Sequence, residues 1–202
     1  VAKAGGTVIS TQERLLYAGA ELFRRQGYAG TGLKQILAEA GVQHGSLYHS
    51  FPEGKEALGE EVLNLGGRYF LSIYEWVSGE APDLPAAVAD FFAGASQTLT
   101  ETDFADACPI ATVAGEVAST HDRLRGAAAG AFESWLDALA RDARREGVDR
   151  PAARALALAL LAVLEGAFLL SRTLRSTEPM AAGSHAGVLL AKAAIAGSRG
   201  GK

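Results

Sequence analysis

The sequence predicts an all-α fold of about nine helices, on three observations. About half of the 202 residues are apolar, Ala is abundant among them, and only six residues are Pro. Apolar positions recur at helical spacing along most of the chain, with no strand-like alternation. Ser, Thr, Asp and Gly stand where helices of ordinary length would begin and end. A chain of this length can bury a real core, and this composition favours helix over sheet.

Each element has its own signal. Ser10-Thr11-Gln12-Glu13 fits a capping box that opens a first helix running to about Gln26. Leu15, Ala18, Gly19, Leu22 and Phe23 form its inward face, and Gly27 ends it. Thr31 is read as the cap of a second helix, whose Leu33, Ile36, Leu37 and Ala40 follow the i, i+3, i+4, i+7 rule. Gly41 stops that helix. A short third helix, about Gln43 to Ser50, buries Leu47 and part of Tyr48 before Phe51 and Pro52 close it. A long fourth helix runs from about Gly54 to Ser78, on the order of 35 Å at 1.5 Å per residue. Gly66-Gly67 lies near its middle as a bend point.

The loop "GEAPDLP" places Pro85 at the first position of a fifth helix, to about Glu101. "CPIATVAGEVA" gives a short sixth. Thr120 is read as the cap of a seventh, to about Glu146, ended by Gly147. Asp149 and Pro151 open an eighth, through about Arg175. Thr177 and Pro179 open a ninth, to about Ala196. The tail "GSRGGK" is expected to be disordered.

Composition removes several function classes. One cysteine, Cys108, cannot form an intrachain disulfide and suits a reducing cytoplasm. The start "VAKAGGTVIS" has no apolar core of a signal peptide. The uninterrupted apolar run from Ala155 to Leu164, inside 152–170, is too short for a bilayer about 30 Å thick, and reads as a core or interface helix. Net charge is −4, with +2 on residues 1–55 and −6 on residues 56–202, so a slightly basic head precedes an acidic body. The four histidines show no metal-ligand spacing: His44 and His49, five apart, do not share a helical face, and Cys108 has no partner. Ser46 and His49 lack the G-x-S-x-G elbow of a hydrolase. No metal, cofactor or catalytic set is expected.

The segment "AEAGVQHGSLYHSF", residues 38–51, carries the function. Two short helices joined by a tight Gly-containing turn are a helix-turn-helix, and the second lies in a major groove of DNA. That helix offers Gln43, His44, Ser46, Tyr48 and His49 but no Lys or Arg. Gln pairs bidentately with adenine, and His and Ser donate or accept at base edges. Gln43, His44 and Ser46 are the candidate base readers. A solvated surface helix is the alternative.

The head resembles the TetR family of one-component transcriptional regulators. The matching residues lie between Thr11 and Leu58: Leu22-Phe23, Gly27-Tyr28, Thr31, Ile36, Gly41-Val42, Gly45, Leu47-Tyr48, Phe51, Lys55 and Leu58. "TGLKQIL", "FPEGKEAL" and "CPIATVAGEVA" look like the LmrA/YxaF-like branch. Many relatives carry Ser or Pro where this chain has Gln43, and His where it has Ser50, which bears on the operator sequence and not on the fold. Exposed amide groups at the start of the second helix, at Thr31 and Lys34, suit a phosphate oxygen, Tyr48 and His49 look like phosphate contacts, and Lys55 resembles the family's phosphate-binding lysine. Tyr48 has a rival packing role, and Lys55 could be an ordinary surface lysine.

The resemblance further implies residues 1–55 as the DNA-binding domain and 56–202 as a ligand-binding and dimerisation domain. The body's candidate pocket residues are Tyr69, Trp76, Phe92, Cys108, Phe132, Trp135, Glu165 and Phe168, all of which could equally be core. Glu165 interrupts an apolar stripe, and a buried carboxylate needs a partner or its pKa rises. A structural hydrogen bond and recognition of a cationic or hydroxylated ligand both remain open. The expected function is a cytoplasmic homodimeric repressor. It pairs through helices at 151–175 and 178–196, binds a palindromic double-stranded operator, and is released by a small apolar or aromatic effector. The alternative is a ligand-binding helical protein whose DNA binding is weak or lost.

Overall fold

The computed structural model describes residues 9–200 except Ala107, with the side chains of residues 199 and 200 left aside. The described residues form nine helices and no strand: α1 (Thr11–Gln26), α2 (Leu33–Ala40), α3 (His44–Ser50), α4 (Lys55–Glu80), α5 (Leu84–Glu101), α6 (Pro109–Val117), α7 (Asp122–Arg145), α8 (Arg150–Leu174) and α9 (Glu178–Gly200).

The head is α1 to α3 packed on the start of α4. Its α1 opens with a full capping box: Ser10 Oγ accepts from Glu13 N at 3.2 Å, and Ser10 N donates to the Glu13 carboxylate at 2.8 Å. Leu15, Phe23, Ile36, Leu47 and Leu58 are fully buried together. Gly19 lets α4 approach α1, because a Cβ there would lie 3.0 Å from Val62.

Three helix starts and one helix end depart from the sequence reading. Thr31 does not cap α2. Gly32 holds the N-cap position and its N–H donates to the Gln35 side chain at 2.8 Å. Thr31 sits one residue earlier, 1% exposed, with its hydroxyl donated to Gly27 O at 2.6 Å. Thr120 does not cap α7, because His121 takes that position while the Thr120 hydroxyl bonds the His121 ring. Pro85 stands second in α5 after Leu84, with Asp83 capping through Ala86 N at 2.8 Å. The last helix continues to Gly200, so the expected disorder from Gly197 does not hold there; Gly201 and Lys202 lie outside the described residues.

Gly66-Gly67, read as a bend point, lies inside the continuous α4. Gly67 serves a close approach, since a Cβ there would meet that of Ala131 on α7 at 2.7 Å. The body is built as neighbours: α4 on α7, α7 on α8, α8 on α9 and α9 on α5. Both α8 and α9 are long and apolar enough, by length and composition, to cross a membrane, although the uninterrupted run in α8 is short. Their inner sides are core: Leu156, Leu160, Phe168, Met180 and Ala191 are buried. Their outer sides still expose Leu158, Leu169, Leu170, Leu174, Leu189 and Leu190.

Candidate nucleic-acid interface and body cavity

The turn between α2 and α3 follows from glycine. Gly41 closes α2 in the left-handed region at φ 62°, ψ 41°, where a side chain would be strained. Its carbonyl accepts from Arg14 at 2.8 Å, and Val42 N donates to Leu37 O at 3.0 Å. This fixes the angle at which α3 leaves. Leu47 anchors α3 in the core, which turns Gln43, His44, Tyr48 and His49 outward, all exposed; Ser46 is half-buried. His44 and Tyr48, one turn apart, touch with ring centroids 5.3 Å apart.

Gly45 lies on the same outer side. Nothing stands within 4 Å of where its Cβ would be, so no packing inside the protein requires glycine there. A glycine in a helix sacrifices up to about 1 kcal/mol relative to alanine. A methyl added there would project from the exposed side of α3.

The phosphate candidates divide. Lys34 is exposed and makes no ion pair or hydrogen bond among the described residues. Arg24 and Arg25 are tied to Glu21, and Arg24 also to Asp106. Thr31 is 1% exposed, with its hydroxyl donated to Gly27 O and its N–H to Tyr28 O at 3.2 Å, so the amide group expected to meet a phosphate there is already used. Lys55 is not a free surface cation. Its ammonium donates to Tyr28 O at 2.6 Å and lies 4.0 Å above the Tyr28 ring centre, and burial lowers its pKa. Tyr48 packs its ring against Gly54 and leaves 46% of its surface exposed, which is compatible with both roles weighed for it.

In the body, α4, α5, α7, α8 and the start of α6 line an apolar cavity. Phe92, Cys108, Trp135, Glu165 and Phe168 line it. Phe132 stands behind Trp135, edge to face at 5.5 Å. Tyr69 and Trp76 do not belong to it: they are 61% and 70% exposed on the far side of α4. The sequence reading missed Phe70, Tyr74 and Phe91, which do line it. The signal was present, because the buried phase of α4, Leu58, Val62, Leu63, Gly67, leads on to Phe70 and Tyr74.

Polar groups on the wall are mostly committed. Tyr74 donates its hydroxyl to Asp142 at 3.0 Å, and burial beside that carboxylate raises its pKa. Trp135 donates to Gly67 O at 2.8 Å. The Cys108 sulfur accepts from Ala111 N at 3.4 Å, at the N-cap of α6. Burial pushes the thiol up, so it is no reactive thiolate. Glu165 is pushed up to about 7, chiefly by burial.

Cavity and head are mechanically joined. Helix α4 carries Phe70 and Tyr74 at one end and Leu58 and Val62 in the head core. Helix α6 carries Cys108 at its start and, near its end, Glu116, which accepts from Ala29 N at 2.7 Å. An adjoining hollow shares Phe70, Phe91 and Phe168 with the cavity and reaches the Arg24–Asp106 pair. The corner before α6 holds Asp103 and Phe104 at positive φ, pinned by Arg172, which donates to Phe104 O and Ala105 O.

Comparison with known proteins agrees with this arrangement. Residues 15–62 match the bacterial regulatory proteins of the tetR family, and residues 85–185 match the C-terminal domain of LmrA/YxaF-like transcriptional regulators. The chain is 31% identical to the helix-turn-helix regulator YxaF of Bacillus subtilis over 84% of its own length and 89% of that protein. It is likewise 31% identical to LmrA of the same organism, over 84% of this chain and 90% of LmrA. Among solved structures, a TetR regulator from Legionella pneumophila superposes with a TM-score of 0.79 at 22% identity, covering 89% of this chain and 96% of that one. The sequence of head and body is thus similar to these relatives along most of the chain, and the fold is that of the solved regulator. The protein belongs to the TetR family of bacterial transcriptional regulators, in its LmrA/YxaF-like branch.

Proposed function

We propose that this regulator is a homodimeric repressor that leaves a palindromic operator when a small apolar or aromatic molecule enters the body cavity. Residues 1–55 act as the DNA-binding unit and 56–202 as the ligand-binding and dimerisation unit, with α4 crossing between them. The outward face of α3 carries the reading. Gln43, His44 and Ser46 address base edges, while Lys34, Tyr48 and His49 address phosphates and set the register. The ammonium of Lys55 retains donors beyond its bond to Tyr28 O, so it adds a phosphate contact while clamping the first turn.

The exposed leucines of α8 and α9 support a second copy as the occupant of that face, as a four-helix bundle from 151–175 and 178–196. Two heads related by one axis would then enter successive major grooves. An effector acts by binding better to the head spacing that does not fit DNA. It would act on α4 and α6 together, because both line the cavity and both reach the head. The protein acts where its DNA is, in the cytoplasm.

The observation that carries this reading is the joint placement of an outward α3 and an apolar cavity on one continuous α4. It is tested with a duplex selected by the protein from random DNA, screened against a library of compounds for release. Release by apolar or aromatic compounds is expected, and Leu164→Trp, which fills the cavity, should keep DNA binding and lose release. Release that persists in the filled variant would overturn the cavity as the effector site.

A further inference from the structure

One oxygen in the cavity has no partner in the protein. Glu165 Oε1 is sealed from solvent and bonds to nothing among the described residues. Its neighbours on the wall are aromatic or aliphatic, notably Phe70, Phe91, Trp135 and Phe168. The Tyr74 hydroxyl and the Trp135 indole N–H are already donated elsewhere. The Cys108 thiol lies beside the carboxyl and can serve one of its oxygens. No Lys or Arg lines the cavity.

A carboxyl placed so is costly to the empty protein, and an apolar residue of similar size would serve the core better. It becomes favourable when an occupant supplies the missing donor. A carboxylate ringed by aromatic faces suits a cation, through the charge pair and through the rings' negative faces. A carboxylate or phosphate ligand would meet a like charge with no counter-ion. We propose that the effector is a small aromatic or apolar amine whose ammonium group pairs with Glu165 while its apolar body lies against Trp135 and the phenylalanines. This rests on the reading of the cavity as the effector site.

The arrangement makes binding depend on pH. An ammonium requires the ionised carboxylate, so affinity rises as pH rises from 6 to 8. The titratable groups facing Glu165 are Tyr74 from α4 and Cys108 at the start of α6; burial raises both, so neither loses its proton in that range. Helices α5 and α7 present apolar and aromatic side chains to the cavity.

The test is calorimetric titration of the full-length protein with matched probes: 4-biphenylmethylamine and 1-adamantanemethylamine, their alcohols, and the corresponding carboxylates. The amines should bind at least ten-fold more tightly than the alcohols at pH 8, and the preference should shrink at pH 6. Glu165→Gln, nearly isosteric, should retain the alcohols and lose the preference. Equal affinities, preference for the acids, undiminished amine binding by Glu165→Gln, or no binding of either amine would overturn the proposal. Alcohol binding without amine preference would leave the cavity standing as the effector site. Failure of every probe, together with failure of the library to release DNA, would remove both readings.

Discussion

The Glu116 carboxylate on α6 accepts the backbone N–H of Ala29, 87 residues earlier, at 2.7 Å. Ala29 lies in the turn between α1 and α2, and α6 begins at the cavity wall, so this bond ties the head to the body. Gly27 makes room for it: at φ 75°, any side chain would be strained and would collide with the same carboxylate.

Glu116→Ala should therefore loosen the turn without unfolding the body. Hydrogen exchange at residues 27–31 should rise by about five-fold, the equivalent of roughly 1 kcal/mol for one hydrogen bond, while α7 to α9 keep their protection. Equal protection in the turn of both proteins would show that the contact carries no coupling.

Base reading and phosphate binding should separate by mutation. Gln43→Ala should cost about 1–3 kcal/mol on the best duplex and relax preference at one position per half-site. Lys34→Ala should weaken all duplexes alike and lower the salt slope by about 1. The check is anisotropy titration on the best duplex and its single-base variants at several salt concentrations.

Gly45→Ala should raise thermal stability, by up to about 1 kcal/mol of helix propensity, and yet weaken DNA binding. Opposite signs in a melt and a binding titration would mark a residue chosen for the partner. Unchanged DNA affinity would place Gly45 clear of the duplex.

The pH dependence of stability has a definite sign at Glu165. Its pKa in the folded protein is about 7, above the ordinary 4.5, so the folded state holds the proton more tightly than the unfolded chain does. The stability that this gives is present at low pH and lost as pH rises through about 7, at most roughly 3 kcal/mol. Glu165→Gln should therefore gain over wild type at pH 8 and much less at pH 5, as read by urea melts. A gain independent of pH would mean that the carboxyl is not buried unpaired.

The outer face of α8 and α9 gives a fifth expectation. Leu169→Asp, at a position 68% exposed, should yield a monomer by analytical ultracentrifugation with unchanged helicity. A wild-type protein that is itself monomeric would contradict the dimer.

The helices were legible because their signals are local. Ser10 with Glu13, Gly27, Gly41, Asp83 and Asp149 mark the ends by their own hydrogen bonding and backbone freedom. The reading face of α3 was legible because Leu47 fixes the phase of seven residues. What failed depended on partners distant in sequence. Thr31 looks like a cap until Gly27 O takes its hydroxyl. Tyr69 and Trp76 were chosen as aromatics without regard to the phase of α4, which selects Phe70 and Tyr74.

The central claim is that α3 of this chain reads DNA as one half of a symmetric pair. Selection of bound duplexes from a random pool, at two salt concentrations, tests it most directly. The expected result is a palindromic motif whose half-sites are about one helical turn apart or a multiple of it, with affinity falling steeply in salt. No enrichment at low salt, from protein freed of any bound compound, would contradict it.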